Sequence, residues 1–204
     1  MISIIDYELG NTLSVKNAIE KLGYKCEITN NKNNISNSNC IILPGVGSFN
    51  KGISNLKKLK LIEILNEEVL IKKKKILGIC LGFQLMCENS NEFGFNEGLG
   101  WLNFEVKKID SKNLRLPHVG WNKINLLKSE TNFLKKISND NMFYFNHTYA
   151  IKNYKINDLS DLMTSSYGED FVAAIKVDNI FGIQPHPEKS QKQGLQIIKN
   201  FIEC

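Results

Sequence analysis

A cysteine framed by glycines, Gly78-Ile79-Cys80-Leu81-Gly82, follows an apolar run and precedes a helical pattern. This is the cysteine form of a strand–turn–helix nucleophile elbow. Such a turn strains its central residue, and the flanking glycines leave room for close backbone approach. A thiol placed there stands at a helix N-terminus, whose dipole favours thiolate. The Leu81 N–H would point toward a developing oxyanion. Far along the chain, Gln184-Pro185-His186-Pro187-Glu188 sets an imidazole two residues from a carboxylate. In extended backbone, residues two apart share a face. A carboxylate beside an imidazole fixes its tautomer and stabilises the imidazolium. Cys80, His186 and Glu188 thus have the types of a nucleophile, its general base and an orienting acid. Each motif alone also suits a turn with an incidental cysteine or histidine; together they point to catalysis.

The elements that must position these residues are legible in outline. Ile2 to Asp6 reads as a buried strand, and Val15, Ala18, Ile19 and Leu22 follow helical spacing to a stop at Gly23. Tyr24 to Ile28, Cys40 to Leu43 and Ile76 to Cys80 read as strands, Leu56 to Ile71 as a helix, and a further helix starts near Phe83. This alternation predicts a parallel sheet with helices on both faces. In the second half, Phe104 to Ile109, Trp121 to Leu127, Met142 to Tyr149, Phe171 to Val177 and Ile180 to Gln184 read as strands before a last helix, Gln191 to Ile202. The expected architecture is α/β, with a mixed, mostly parallel sheet whose later strands include antiparallel neighbours. Sites in such sheets form outside the carboxyl ends of the strands.

The bulk properties narrow the function classes. A length of 204 residues suits one domain over 1–204 with a full sheet-and-helix core. No apolar run approaches the ~20 residues of a membrane-spanning helix, and Met1 to Asp6 lacks the marks of a signal peptide, so the expected location is cytoplasmic. The net charge of +5 is carried almost wholly by lysine, with Arg115 the single arginine. Arginine is the residue favoured for bidentate phosphate and base readout, so no nucleic-acid partner is expected. The run Lys72 to Lys75 reads as a solvated segment between a helix and a strand. Five cysteines without a C-x-x-C pair argue against a disulfide framework and a structural zinc site. Cys26 and Cys40 read as packing residues, and no metal or cofactor is expected.

Pro44-Gly45-Val46-Gly47, the Cys80 elbow running on to Gln84, and His186-Pro187-Glu188-Lys189-Ser190 together resemble the class I glutamine amidotransferases. The likeness spans nearly the whole chain. It is narrowed toward the glutaminase subunits of imidazole glycerol phosphate synthase by Asp6-Tyr7-x-x-Gly10-Asn11, Gly98-Leu99-Gly100, Pro117 to Asn122 and Tyr144 to Tyr149. The resemblance implies a flavodoxin-like fold and a Cys80, His186, Glu188 triad that hydrolyses L-glutamine through a thioester. It implies an oxyanion strand at Val46 and Gly47, and glutamine-binding positions at Gln84, Glu92, His147 and Tyr149. It implies a partner-facing set of Asn11, His118, Trp121 and Asn122, the partner being a (β/α)₈-barrel cyclase subunit that receives ammonia within a heterodimer in histidine biosynthesis. Glu8-Leu9, Pro185, Asn146 and Thr148 depart from the expected pattern. They leave open a paralogous role, supplying ammonia to amidinate a nucleotide-linked sugar of surface polysaccharide. A non-catalytic docking module and a cysteine peptidase are weaker alternatives, opposed by the intact triad and by Gln84.

Overall fold

The computed structural model describes residues 1–154 and 159–204. Its centre is an eight-stranded sheet. Strands β1 (Ile2–Ile5), β2 (Cys26–Thr29), β3 (Cys40–Leu43) and β4 (Lys75–Ile79) alternate with helices α1 (Thr12–Lys21), α2 (Lys32–Asn37), α3 (Phe49–Lys58) and α4 (Ile62–Asn66), the last running on into a π-helical turn at Glu67–Ile71. A one-turn helix α5 (Leu81–Leu85) follows β4. Three small strands come next, β5 (Cys87–Ser90), β6 (Asn96–Glu97) and β7 (Leu102–Lys108). Then come β8 (His118–Lys123), β9 (Asn125–Ser129), β10 (Met142–His147), β11 (Tyr149–Ile151), β12 (Asp161–Tyr167), β13 (Glu169–Val177) and β14 (Ile180–Ile183), and the chain closes with α6 (Gln191–Glu203).

The strand order in the large sheet is β2-β1-β3-β4-β14-β13-β12-β9. Its first five members pair in parallel and the rest antiparallel. Short apolar strands with alternating faces divide the core in two. Ile42, Leu77, Ile79 and Ile183 point toward α1, α6 and the antiparallel β8–β10 pair. Ile41, Leu43 and Ile76 point toward α3, α4, α5 and the four-stranded sheet β11-β7-β5-β6. Burial of these side chains on both faces is what makes a parallel sheet stable. Among the described residues, no helix is long and apolar enough to cross a membrane.

Several sequence expectations are corrected. Trp121 to Leu127 is not one strand: β8 pairs with β10 and β9 with β12, in different sheets. Met142 to Tyr149 likewise divides at Thr148 between β10 and β11. The helix expected over Leu56 to Ile71 starts earlier and breaks at Lys60, which sits at φ 54°. Strands β5, β6 and β12 were not read at all. β12 is buried over its first five residues yet carries Thr164 and Ser165 inward; the Ser165 hydroxyl donates to the Lys123 carbonyl at 2.7 Å, so hydrogen bonding replaces the apolar signature. The lysine run is only half solvated. Lys74 is nearly buried against the fully buried Glu68 carboxylate, which Lys72 and Ser36 also contact. Burial alone would raise that carboxyl, but its lysine partners outweigh it and hold Glu68 down at about 2. Cys26 is half-buried rather than core, and all five cysteines are free.

Candidate active site

Between the last residue of β4 and the first of α5, Cys80 makes the whole reversal alone, at φ 52° and ψ −109°. A non-glycine residue in this region stores roughly 1–3 kcal/mol of strain, tolerated only when the surroundings impose it. Here they do. The Cys80 N–H donates to the Ile183 carbonyl at 2.8 Å, and its own carbonyl accepts from the Gln84 N–H at 3.1 Å. A Cβ on Gly82 would fall inside the Leu43 carbonyl, and one on Gly78 would lie 2.7 Å from Phe83 Cα. Strand and helix therefore close only over glycine, as the motif implied. The helix behind the thiol starts at Leu81, earlier than the expected start near Phe83, and is only five residues long, so its dipole is weak.

That imidazole arrives from β14, next to β4 in the sheet. His186 is extended, at φ −93° and ψ 96°, but Pro187–Lys189 forms a 3₁₀ turn. Glu188 thus reaches its partner by curling back, not by the side-by-side extended arrangement expected. The contact is made all the same: His186 Nδ1 donates to Glu188 Oε1 at 2.8 Å, with both side chains buried. This fixes the tautomer that leaves Nε2 for a proton in transit. Nε2 makes no hydrogen bond in this geometry, yet Cys80 lies near enough to act on it. Burial pushes the His186 imidazole down, but the Cys80 charge and the bonded Glu188 carboxylate carry it up to about 10.

A cavity of about 200 Å³ opens beside the sulfur, below the ~300–1,000 Å³ of pockets for drug-sized ligands. Its wall brings together Val46, Gly47 and Leu81 with Gln84, Glu92, His147 and Tyr149, so both predicted ligand-facing sets converge on Cys80. A larger cavity of about 860 Å³ shares no lining residue with it and, among the described residues, is lined by no cysteine, serine or histidine. Glu92 is not simply solvated: its Oε2 accepts the Phe49 N–H at 2.6 Å, a cap on α3 that Ser48 does not supply. The Gln84 amide nitrogen donates to the Tyr149 carbonyl at 2.8 Å and to Gln184 Oε1 at 3.0 Å, which leaves only its oxygen free for a ligand.

A family model described as Glutamine amidotransferase class-I matches residues 3–204. The chain is a class I glutamine amidotransferase. It is 44% identical over 203 residues to imidazole glycerol phosphate synthase subunit HisH 1 of Campylobacter jejuni, covering 99% of each chain. It is 43% identical over 204 residues to subunit HisH 2 of Methanococcus maripaludis, covering 100% of this chain and 99% of that one. A chain in the structure of PurLQS from Thermotoga maritima shares the fold, with a TM-score of 0.76 and 18% identity over 99% of this chain and 97% of that one.

In this amidotransferase the residues expected to face a partner divide. Trp121 is 41% exposed, with its ring edge-on to Tyr144 at 6.1 Å. His118 is not at the surface. It is 3% exposed, stacked between Tyr167 at 4.0 Å and Phe145 at 5.0 Å. Its hydrogen bonds form a directed chain. His147 Nδ1 faces the Tyr149 carbonyl at 3.0 Å and must donate, so His147 Nε2 accepts from His118 Nδ1 at 3.3 Å, and His118 Nε2 accepts from Asn122 at 3.5 Å. Burial holds both rings neutral, His147 at about 3 and His118 at about 4. Asn11 is drawn inward too, donating to Glu188 Oε1 at 3.3 Å. Sequence reading assigned no role to Tyr7, Gln184 or Ser190, although all three lie inside quoted motifs. Tyr7 donates to the Pro44 carbonyl at 2.7 Å, pinning the segment that leads to Val46. Ser190 donates to the His186 carbonyl at 2.6 Å and accepts the Tyr144 N–H at 3.0 Å.

Proposed function

We propose that this chain is the glutaminase subunit of an imidazole glycerol phosphate synthase, acting in the cytoplasm as a heterodimer with a barrel cyclase subunit. The observation that carries the chemistry is that Cys80 opens onto one small cavity while His186, from a segment more than a hundred residues away and bonded to Glu188 at 2.8 Å, lies against the same thiol. The likeness to the HisH subunits of Campylobacter jejuni and Methanococcus maripaludis supports the acceptor.

The chemistry follows from the geometry. With the thiol proton already transferred to His186 Nε2, the Cys80 sulfur adds to the side-chain amide carbon of glutamine. The resulting oxyanion is met by main-chain N–H groups of the Leu81 turn and the Val46–Gly47 segment. His186 returns the proton to the amide nitrogen, the C–N bond breaks, and ammonia leaves a glutamyl thioester. Water then attacks that carbon while His186 takes its proton, releasing glutamate and restoring the thiol. Glu188 holds the ring and balances its charge throughout. Glu92 and the free Gln84 oxygen offer the acceptors a substrate α-ammonium needs. Trp121 is exposed against Tyr144, whose ring centroid lies 6.4 Å from that of His186, and this supports a partner surface near the point where ammonia emerges.

The test mixes this chain with a barrel cyclase subunit, glutamine and the ribonucleotide substrate of the histidine pathway. Product is expected with the native chain, none with Cys80→Ala, and recovery when ammonium is added to that variant. Full glutamine-dependent activity in Cys80→Ala removes Cys80 as nucleophile. A glutamyl adduct on Cys80 without product keeps the glutaminase and moves the acceptor to a nucleotide-linked sugar.

A further inference from the structure

One buried polar side chain touches the reacting sulfur from the protein side. Gln184, the residue after β14, is fully buried, and its Nε2 lies 3.6 Å from Cys80 Sγ. It is absent from the cavity wall, so it does not meet the substrate. Which of its amide atoms faces the sulfur is fixed by elimination. The Tyr149 carbonyl accepts only, so the Gln84 atom against it is the nitrogen. That nitrogen also faces Gln184 at 3.0 Å, and the Gln184 atom there must therefore be oxygen. The Gln184 nitrogen is left to donate to sulfur. On its other side the thiol has an acceptor, the Asn146 carbonyl at 3.9 Å, suited to the S–H form.

We propose that Gln184 is a further catalytic residue of this site, an N–H donor that stabilises the Cys80 sulfur in its anionic form, and that Gln84 is the positioning residue that keeps the donor turned inward. The assignment rests on the glutaminase reading for its consequence but not for its geometry. A donor to sulfur favours thiolate before attack and again when the thioester is cleaved and thiolate leaves. Because Gln184 is not in the cavity wall, its loss acts on the rate and leaves substrate binding nearly untouched.

The experiment follows iodoacetamide alkylation of Cys80 across pH by peptide mass spectrometry, on the full chain with and without its barrel partner. Gln184→Met keeps the shape and removes the donor; its alkylation midpoint is expected to rise by about one pH unit, the scale of a hydrogen bond to a charged group. Gln184→Glu, which brings an acceptor and a charge, is expected to rise further. Glutamine turnover in Gln184→Met is expected to fall about tenfold in kcat with KM within about threefold. Midpoints in both variants that coincide with the native one overturn the proposal. If Gln184→Met does not fold, Gln84→Leu leaves Gln184 free to turn and is expected to show a smaller upward shift; no shift there overturns it equally. A native chain that alkylates normally but never turns over glutamine defeats the glutaminase reading instead, and the midpoints still decide the role of Gln184.

Discussion

The two arms of the triad are held by different physics. Cys80 is fixed by main chain: a strained turn between β4 and α5, locked over Gly78 and Gly82 and bonded to the Ile183 carbonyl. His186 and Glu188 sit on an irregular segment with little regular backbone pairing, held by two side chains, Asn11 before α1 and Ser190 before α6, and by one main-chain bond to the Tyr144 carbonyl on β10. Main-chain geometry resists displacement but tolerates no change of shape. A side-chain network tolerates changes of shape but depends on each partner. The arm that stays still carries the nucleophile, and the arm whose proton moves is the one built from adjustable contacts.

The strongest way to break this contrast is to alter charge in the side-chain arm without altering its shape. Glu188→Gln preserves the volume and removes the charge that balances His186. Glutamine turnover is expected to fall by roughly 10³–10⁴, the scale seen when a triad acid is neutralised, with thermal stability little changed. A loss under tenfold, measured by steady-state glutamate release, would mean Glu188 only fills space. The mirror-image change alters shape in the main-chain arm. Gly82→Ala drives a methyl against the Leu43 carbonyl, and overpacking against backbone is expected to lower unfolding stability by about 3 kcal/mol. Urea midpoints report it, and a variant as stable as the native chain would show that the elbow has slack.

The same contrast explains what could be read from the residues alone. The main-chain arm was legible because its physics is local: glycines two residues either side of a cysteine, after an apolar strand, specify the turn wherever the chain goes next. The parallel half of the sheet was legible for the same reason, from short apolar runs such as Cys40–Leu43. The other arm was legible only as a motif. Nothing near Asn11 or Ser190 announces a bond made across the fold, and His118 read as a surface residue because stacking on Tyr167 depends on β8 pairing with β10. The boundary between β8 and β9 was missed since both are strand-like in pattern, and only their different partners separate them.

A smaller effect separates the supports within the adjustable arm. Ser190→Ala leaves the His186 carbonyl without its donor and the Tyr144 N–H without its acceptor. Stranding such groups is expected to reduce stability by about 2 kcal/mol, and displacement of the base to slow turnover by about tenfold. Equal stability in denaturant would mean the two groups find new partners, and the arm is looser than its hydrogen bonds suggest.

The mildest test uses the three histidines, which the fold gathers near one site and divides by charge. His118 and His147 are held at about 4 and about 3 by burial, below the ordinary value near 6.5, while His186 is carried up to about 10. In an unfolded chain all three take up protons as pH falls through about 6.5. Folded His118 and His147 do not, so the unfolded state binds more protons and stability falls with pH from about 6.5 down toward 4 and 3. His186 is protonated in both states over that range and adds no slope; its contribution is instead lost as pH rises toward 10. Glu68, held at about 2, begins to weaken the fold only once pH drops below about 4.5. The interval from 6.5 to 4.5 therefore belongs to the neutral pair. Urea unfolding of the native chain is expected to show stability decreasing there as pH falls. His118→Phe, which keeps an aromatic ring to stack on Tyr167 and Phe145, is expected to flatten that decrease while leaving the steeper loss below 4.5 in place. Identical slopes in the two chains would mean that His118 takes a proton within the fold, and the directed chain from Asn122 to the Tyr149 carbonyl would then lose its middle link.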